Sequence, residues 1–359
     1  MLIATRQIGD VLLATPLLRS LRMAWPEARI DVLVFQRMGG MLEGNPDLNE
    51  IIEIAERPNW KKNWRLLRRI GRQYDLSVST LPGDRPNIYG FLAASLRVSL
   101  IPDLTGQGRW KRWINAGWAP LDNLHTHTVE QNLMLARVLR IEPFHTLVPP
   151  QADDAEARVV RMLGFNPSQQ PCIVLHPYPM WRYKRWSEAG WEALLESCQQ
   201  AGVRTVLTGG PDAEERQFCR ALARRFNEVV DSSGRFRFAD LAWLLCHAKA
   251  YVGPDTAVTH LASACGTRTL ALYGPSNPVK WGPWPRNYAD AQPPFQLYSP
   301  QPQKRGNILL LQPNYAKGCV PCREEGCERH KGSYSACMDQ LSAERVITAL
   351  RQMAPDLLA

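Results

Sequence analysis

Short apolar runs, glycine-bearing turns and amphipathic segments alternate in two successive series along the chain. In the first, Leu2-Ile3-Ala4 reads as a strand and Ile8-Gly9-Asp10 as a turn. Val11 to Met23 then sets apolar residues at helical spacing. Ile30–Phe35, Ile51–Ile54 and Leu76–Ser79 continue as strands, until the proline-bearing stretch Pro143 to Pro150 interrupts the pattern as a linker. The second series opens with Cys172–Leu175, a helix over Ser187 to Gln200 and the strand Val203–Leu207. Gly209-Gly210-Pro211 turns into a helix through Phe226, Leu241 to His247 is helical, and Tyr251-Val252-Gly253 and Thr269–Tyr273 are strands. From Gly274 to Pro321 the proline-rich texture predicts loop, and Ser342 to Met353 predicts a closing amphipathic helix. Strands alternating with helices predict an α/β protein of two doubly wound parallel sheets, with domains at 1–150 and 151–359. Such sheets bind ligands at the carboxyl ends of their strands. Asp10, Gly209-Gly210 and Asp255 lie at such ends.

A length of 359 residues agrees with two cores rather than one. No apolar run reaches the roughly 18 residues that span a bilayer, and the first residues lack a charged start followed by an apolar stretch. A secreted or integral membrane protein is therefore not expected. The net charge of +9 asks for an anionic partner: nucleic acid, a membrane surface or a phosphorylated substrate. Arg57, Lys61, Lys62, Arg65, Arg68, Arg69 and Arg72 form a run without an acid, and positions 61, 65, 68, 69 and 72 share a helical face. Arg109, Lys111 and Arg112 alternate with Trp110 and Trp113. A solvated helix face is the plainer reading of such a run.

Five of the nine cysteines, Cys172, Cys198, Cys219, Cys246 and Cys265, sit in apolar segments and read as small core residues. Cys319, Cys322, Cys327 and Cys337 fall together near His330, a density that suits a closed structural site for zinc or iron. Four reduced surface thiols are the alternative.

Gly253-Pro254-Asp255-Thr256-Ala257-Val258 ends a strand and opens a helix, whose free N–H groups suit a diphosphate. Taken alone, Asp255 and Thr256 are better read as an ordinary helix cap. The odds change with Leu272-Tyr273-Gly274. With G-x-D-[ST]-x-x-x-H at Gly253 to His260, it resembles the donor-site signature of glycosyltransferase family 9, the heptosyltransferases. Gly9-Asp10 with Thr15-Pro16, Lys184-Arg185-Trp186 with Trp191, and Gly209-Gly210-Pro211-Asp212 with Glu214-Glu215 match further family motifs in order. The resemblance is closest to the type III lipopolysaccharide inner-core enzymes.

It implies a GT-B fold, two Rossmann-like domains facing across a cleft, with acceptor on the first, ADP-heptose on the second, and the last helix crossing back to the first. It implies inverting transfer of heptose to lipopolysaccharide at the inner face of the inner membrane. An inverting transfer needs a base at the acceptor hydroxyl and positive charge at the leaving diphosphate. Asp10 is the expected base, although an N-cap would also explain it, and Lys184 is the expected diphosphate partner. Asp255, Thr256, Ala257 and Val258 would cradle the donor with support from His260, Glu214 would meet the ribose and Phe236 the adenine. Lys61, Lys62, Arg65, Arg68, Arg69, Arg72, Arg109 and Arg112 would meet the phosphorylated core and lipid A, with Trp110, Trp113 and Trp118 at the membrane interface. Nucleic acid recedes as a partner. No D-x-D occurs, so metal-independent catalysis is expected. The cysteine-rich tail departs from the common lipopolysaccharide enzymes, which keeps a protein acceptor such as an autotransporter open. A non-catalytic nucleotide-sugar or polyanion binder is the other alternative. An NAD-dependent oxidoreductase is disfavoured because no G-x-G-x-x-G follows the first strand of either half.

Overall fold

The computed structural model describes residues 1–102, 108–316 and 318–357. They form two compact units, Met1–Pro150 with Ala289–Gln292, and Gln151–Tyr288 with Pro293–Ala359.

The first unit carries β1 (Leu2–Ile3), β2 (Asp31–Phe35), β3 (Glu50–Ile54), β4 (Tyr74–Ser79), β5 (Ala94–Pro102) and β6 (Gly117–Leu121). They form a parallel sheet in the order β3-β2-β1-β4-β5-β6. Order reverses between β1 and β4, where Leu2 faces both Val32 and Val78. The pattern of apolar positions did not predict β5 and β6. β5 mixes exposed Ser95 and Leu96 with a buried end, and β6 is an edge strand holding Gly117 and Pro120. The single helix expected over Val11 to Met23 is two, Ile8–Leu13 and Thr15–Ala24. Pro16 has no N–H to give the Leu12 carbonyl, and the Thr15 hydroxyl takes that carbonyl at 2.7 Å.

The second unit repeats the order. β7 (Cys172–Leu175), β8 (Arg204–Leu207), β9 (Val229–Asp231), β10 (Ala250–Pro254), β11 (Thr269–Leu272), β12 (Gln303–Arg305) and β13 (Ile308–Leu311) lie as β12-β13-β11-β10-β7-β8-β9. All pairs are parallel except the hairpin of β12 with β13. This hairpin corrects the loop expected after Gly274. Gly306, at φ 53°, makes a tight turn with Asn307 and delivers the buried run Ile308–Leu311 to the sheet.

The core of this unit gathers Trp186, Trp191, Leu194 and Leu272 with Val346, Ala349 and Leu350 of the closing helix Ala343–Met353. That helix therefore packs within the second unit, a correction to the crossing-back expected from the family. Its apolar stripe is covered by the helix Glu188–Gln200 and by β13 and β11. The Trp186 indole N–H donates to the Leu341 carbonyl at 2.7 Å, fixing the entry to this helix. No helix among the described residues is long and apolar enough to cross a membrane.

Candidate active site

In the second sheet, order reverses between β7 and β10, whose carboxyl ends are His176-Pro177 and Asp255. From β7 the chain runs without regular structure to a short turn at Arg182–Lys184. From β10 it enters the helix Ala257–Cys265 through Asp255 and Thr256. The two exits meet: Lys184 Nζ lies 2.6 Å from Asp255 Oδ2, both side chains largely covered. Burial alone would raise the Asp255 carboxyl, but Lys184, His260 and a hydrogen bond from Ser276 hold it below its ordinary value. His260 Nε2 stands 3.9 Å from Asp255 Oδ1, and burial lowers this imidazole to about 4, so it is neutral at pH 7. The Tyr273 hydroxyl donates to the Trp281 carbonyl at 2.6 Å with Asp255 Oδ1 at 3.3 Å. The site is thus a carboxylate with one partly solvent-facing cation at a helix start.

Thr256 is the N-cap of that helix, its hydroxyl accepting from the Thr259 N–H at 3.3 Å. Ala257 and Val258 begin the helix, where N–H groups have no intrahelical acceptor. Thr256 and Ala257 are half-buried, whereas Val258 and His260 are buried. Beneath them the Tyr251 hydroxyl meets Thr259 Oγ1 at 2.9 Å. A Cβ at Gly253 would lie 2.1 Å from that hydroxyl, so only glycine fits there.

The three acids of the Gly209 turn divide their roles. Asp212 caps the helix Ala213–Ala223, accepting from Glu214 N–H at 2.9 Å and Glu215 N–H. Glu215 folds back on the glycines; a Cβ at Gly210 would meet its Oε2 at 2.8 Å. Glu214 points outward, 3.4 Å from Arg185, and the Tyr178 hydroxyl and Arg185 hold its carboxyl below the ordinary range. Arg185 in turn lies over the Tyr178 ring at 3.6 Å. Phe236 is half-buried just before the helix Phe238–His247.

Tyr273, Ser276, Arg185 and Tyr178 are contributors that motif spacing did not single out. Tyr273 was visible inside Leu272-Tyr273-Gly274, but nothing in a strand-end pattern says which way a hydroxyl points.

In the first unit Asp10 occupies the third position of the helix Ile8–Leu13, one turn past β1. Gln7, not Asp10, is the N-cap, so the ordinary capping role does not apply. Asp10 lies 3.5 Å from Arg6 with a mostly covered side chain. Lys61, Lys62, Arg65, Arg68 and Arg69 are exposed on the helix Trp60–Ile70. Two expectations change here. Arg72 lies beyond that helix at φ 51°, off the helical face, and Arg69 is paired with Glu50. Exposed Trp60 and Trp64 stand among these cations. In the helix Arg109–Ile114, Arg109 is exposed and Arg112 lies 4.5 Å over the Trp118 ring. Lys111 is no surface cation: it is buried, donating to the Pro82 carbonyl at 2.6 Å and paired with Asp84 at 2.8 Å.

All nine cysteines are free thiols. Cys172, Cys198, Cys219 and Cys265 are buried, but Cys246 is exposed, a correction to its reading as core, and its thiol shares a hydrogen bond with the Cys265 thiol. In the tail, Cys337 is buried, and burial followed by Cys319, Cys322 and Cys327 pushes its thiol up to about 12. The Ala336 N–H donates to Cys327 Sγ at 3.4 Å. Among the described residues no three Cys, His, Asp or Glu side chains stand together closely enough to hold a metal ion.

The chain is 27% identical over 362 residues to lipopolysaccharide heptosyltransferase 3 of Escherichia coli K12, covering 98% of this chain and 96% of that one. Among solved structures it is similar to E. coli ADP-heptose lps heptosyltransferase II, with a TM-score of 0.73 at 19% identity over 100% of this chain and 99% of the other. The iron-containing dodecameric glycosyltransferase TibC from enterotoxigenic E. coli H10407 matches with a TM-score of 0.56 at 15% identity, over 99% of this chain and 76% of that one. These likenesses identify the fold as GT-B. The model of glycosyltransferase family 9 (heptosyltransferase) matches residues 64–299, and with the ordered motifs of both units this makes the chain a member of that family and a glycosyltransferase.

Proposed function

We propose that this enzyme moves heptose from ADP-heptose to the inner-core oligosaccharide of lipopolysaccharide, inverting the anomeric centre. The observation that carries the reading is the Lys184–Asp255 pair beside the start of the helix Ala257–Cys265, at the switch point of the second sheet. A diphosphate docked there meets the Lys184 ammonium, the Thr256 hydroxyl and the N–H groups of Ala257 and Val258. Asp255 holds the Lys184 side chain in place, while neutral His260 and Tyr273 lie against the carboxylate. Glu214 accepts from the ribose hydroxyls, and Phe236 lies beside the adenine. Asp10 takes the proton from the acceptor hydroxyl as that oxygen attacks the heptose anomeric carbon. The bond to the diphosphate oxygen breaks on the opposite face, and the charge released passes to Lys184 and the helix start.

The exposed cations of the helix Trp60–Ile70, with Arg109 and Arg112, serve the phosphorylated core and lipid A. Exposed Trp60, Trp64 and Trp113 support a reading of peripheral contact with an anionic membrane, at the cytoplasmic face of the inner membrane where the lipopolysaccharide acceptor is met. The four tail thiols are by chemistry a donor set for a structural zinc or iron, although among the described residues they do not stand together as a ligand group. Elemental analysis of the purified protein, expected to find one such ion per chain, decides this point; metal-free protein removes it.

The function is tested by incubating the enzyme with ADP-heptose and truncated core acceptors and reading product masses. Addition of one heptose is expected. No transfer from any heptose donor would overturn the proposal.

A further inference from the structure

The cysteine-bearing segment 319–337 reaches the candidate donor site through contacts that no motif names. The Arg323 N–H donates to the Pro275 carbonyl at 2.9 Å, in the turn whose Ser276 bonds Asp255. The Lys331 ammonium lies 4.5 Å over the ring of Trp181, three residues before Lys184. Between these points the packing is close: a Cβ at Gly274 would lie 2.6 Å from Met338 Sδ and 3.2 Å from Cys337 Sγ. Tyr183 sits within electrostatic reach of Cys322 and Glu325 as well as of Lys184 and Asp255.

These contacts fall on the two stretches that most need support. The arm from Pro177 to Trp186 holds only a three-residue turn, and the turn from Tyr273 to Asn277 has no regular structure. Both bring groups to Asp255: Lys184 from the arm, and Ser276 and the Tyr273 hydroxyl from the turn. Backbone without its own ladder is held by neighbours or not at all.

We infer that segment 319–337 is a clamp that positions the Lys184 arm and the Ser276 turn for the donor diphosphate, making its Lys331, and Trp181 of the arm on which Lys331 rests, determinants of donor affinity. The inference rests on the donor-site reading above. Loosening the clamp lets Lys184 and Ser276 leave Asp255 separately, which weakens nucleotide binding and leaves the acceptor unaffected.

The test is calorimetric titration of ADP into full-length variants, with donor and acceptor KM measured alongside. Lys331→Ala is expected to weaken ADP roughly threefold, the scale of an exposed cation–π contact, and Lys331→Arg to restore it. Trp181→Ala should act like Lys331→Ala, with Trp181→Phe close to wild type. Gly274→Ala, which drives a methyl into Met338 and Cys337, should weaken ADP by about tenfold. In the Lys331 and Trp181 variants acceptor KM and Tm should stay at wild-type values. Wild-type ADP affinity in Lys331→Ala and Trp181→Ala would overturn the clamp and leave the donor site standing. Equal losses of donor and acceptor affinity with a lowered Tm would overturn it too, as a general packing role. Failure of the wild-type enzyme to bind ADP would overturn the donor-site reading itself, and the clamp with it.

Discussion

The two units share a strand order and differ in how they use charge. In each, the central strand is flanked by a reversal of order, β1 against β4 and β7 against β10, with candidate chemistry at the exits. On the helix Trp60–Ile70 of the first unit the cations stand outward: Lys61, Lys62, Arg65 and Arg68 are exposed. Around the candidate donor site of the second, cations pair with covered carboxylates. Lys184 meets Asp255, and Arg158 and Arg237 meet Asp240, whose side chain is fully covered. Outward charge suits a large, variable anionic partner met at a surface, whereas inward pairing suits a small ligand that must be held in one geometry. A shared sheet order therefore fixes where a site lies and leaves its chemistry to the loops.

The sharpest way to break this division is at the two switch points. Asp10→Ala is expected to slow transfer by about 10²- to 10⁴-fold, the usual worth of a positioned base, with ADP affinity unchanged in titration. Lys184→Ala should cost about 10²- to 10³-fold in kcat and also weaken ADP, because it leaves the covered Asp255 carboxylate facing the diphosphate. Asp255→Asn added to Lys184→Ala should recover part of the lost ADP affinity. Strict additivity in that double-mutant cycle would show that the pair does not act as a unit.

Acid separates the inward-facing unit by stability. Burial lowers His176 and His260 to about 4 from an ordinary 6.5. Between these values the unfolded chain takes up protons that the folded one refuses. Their stabilisation is therefore complete above about pH 6.5 and is lost as pH falls toward 4, by roughly 2–3 kcal/mol each. Asp255, held below its ordinary value, acts in a lower window: its contribution disappears only as pH falls through that depressed value. Thermal melts from about pH 7 to 4.5 should show the loss, and His176→Asn should remove part of it. A His176→Asn profile parallel to wild type would exclude that assignment. The smallest effect belongs to the outward face. Arg65→Glu with Arg68→Glu should raise acceptor KM about tenfold at low salt, less at high salt, and leave donor KM unchanged.

Much of this site was legible from spacing. Asp255, Thr256 and His260 follow one strand end, Lys184 precedes a tryptophan pair, and Asp10 follows the first strand, so order along the chain placed them at loops. Direction was not legible. Lys111 alternates with Trp110 and Trp113 like a surface cation, yet its stem is buried and its ammonium is taken by Pro82 and Asp84. Cys246 lies in the apolar run Leu241 to His247, yet emerges at the surface near the helix end. Among Asp212, Glu214 and Glu215, adjacent acids with similar spacing, only packing assigned one as cap, one as glycine-loop support and one as outward acceptor. The strands β12 and β13 hid in proline-rich sequence because a hairpin needs only a two-residue turn and one buried apolar run. Local pattern reports periodicity; contacts across the sheet decide which face each side chain takes.

The division of labour between the units is tested most directly by titrating ADP-heptose into Asp10→Ala enzyme and measuring transfer to a truncated core acceptor in the same sample. Donor affinity within about twofold of wild type with transfer lowered at least about 100-fold is the expected result. Product formed at near the wild-type rate would contradict the assignment of Asp10 as the base.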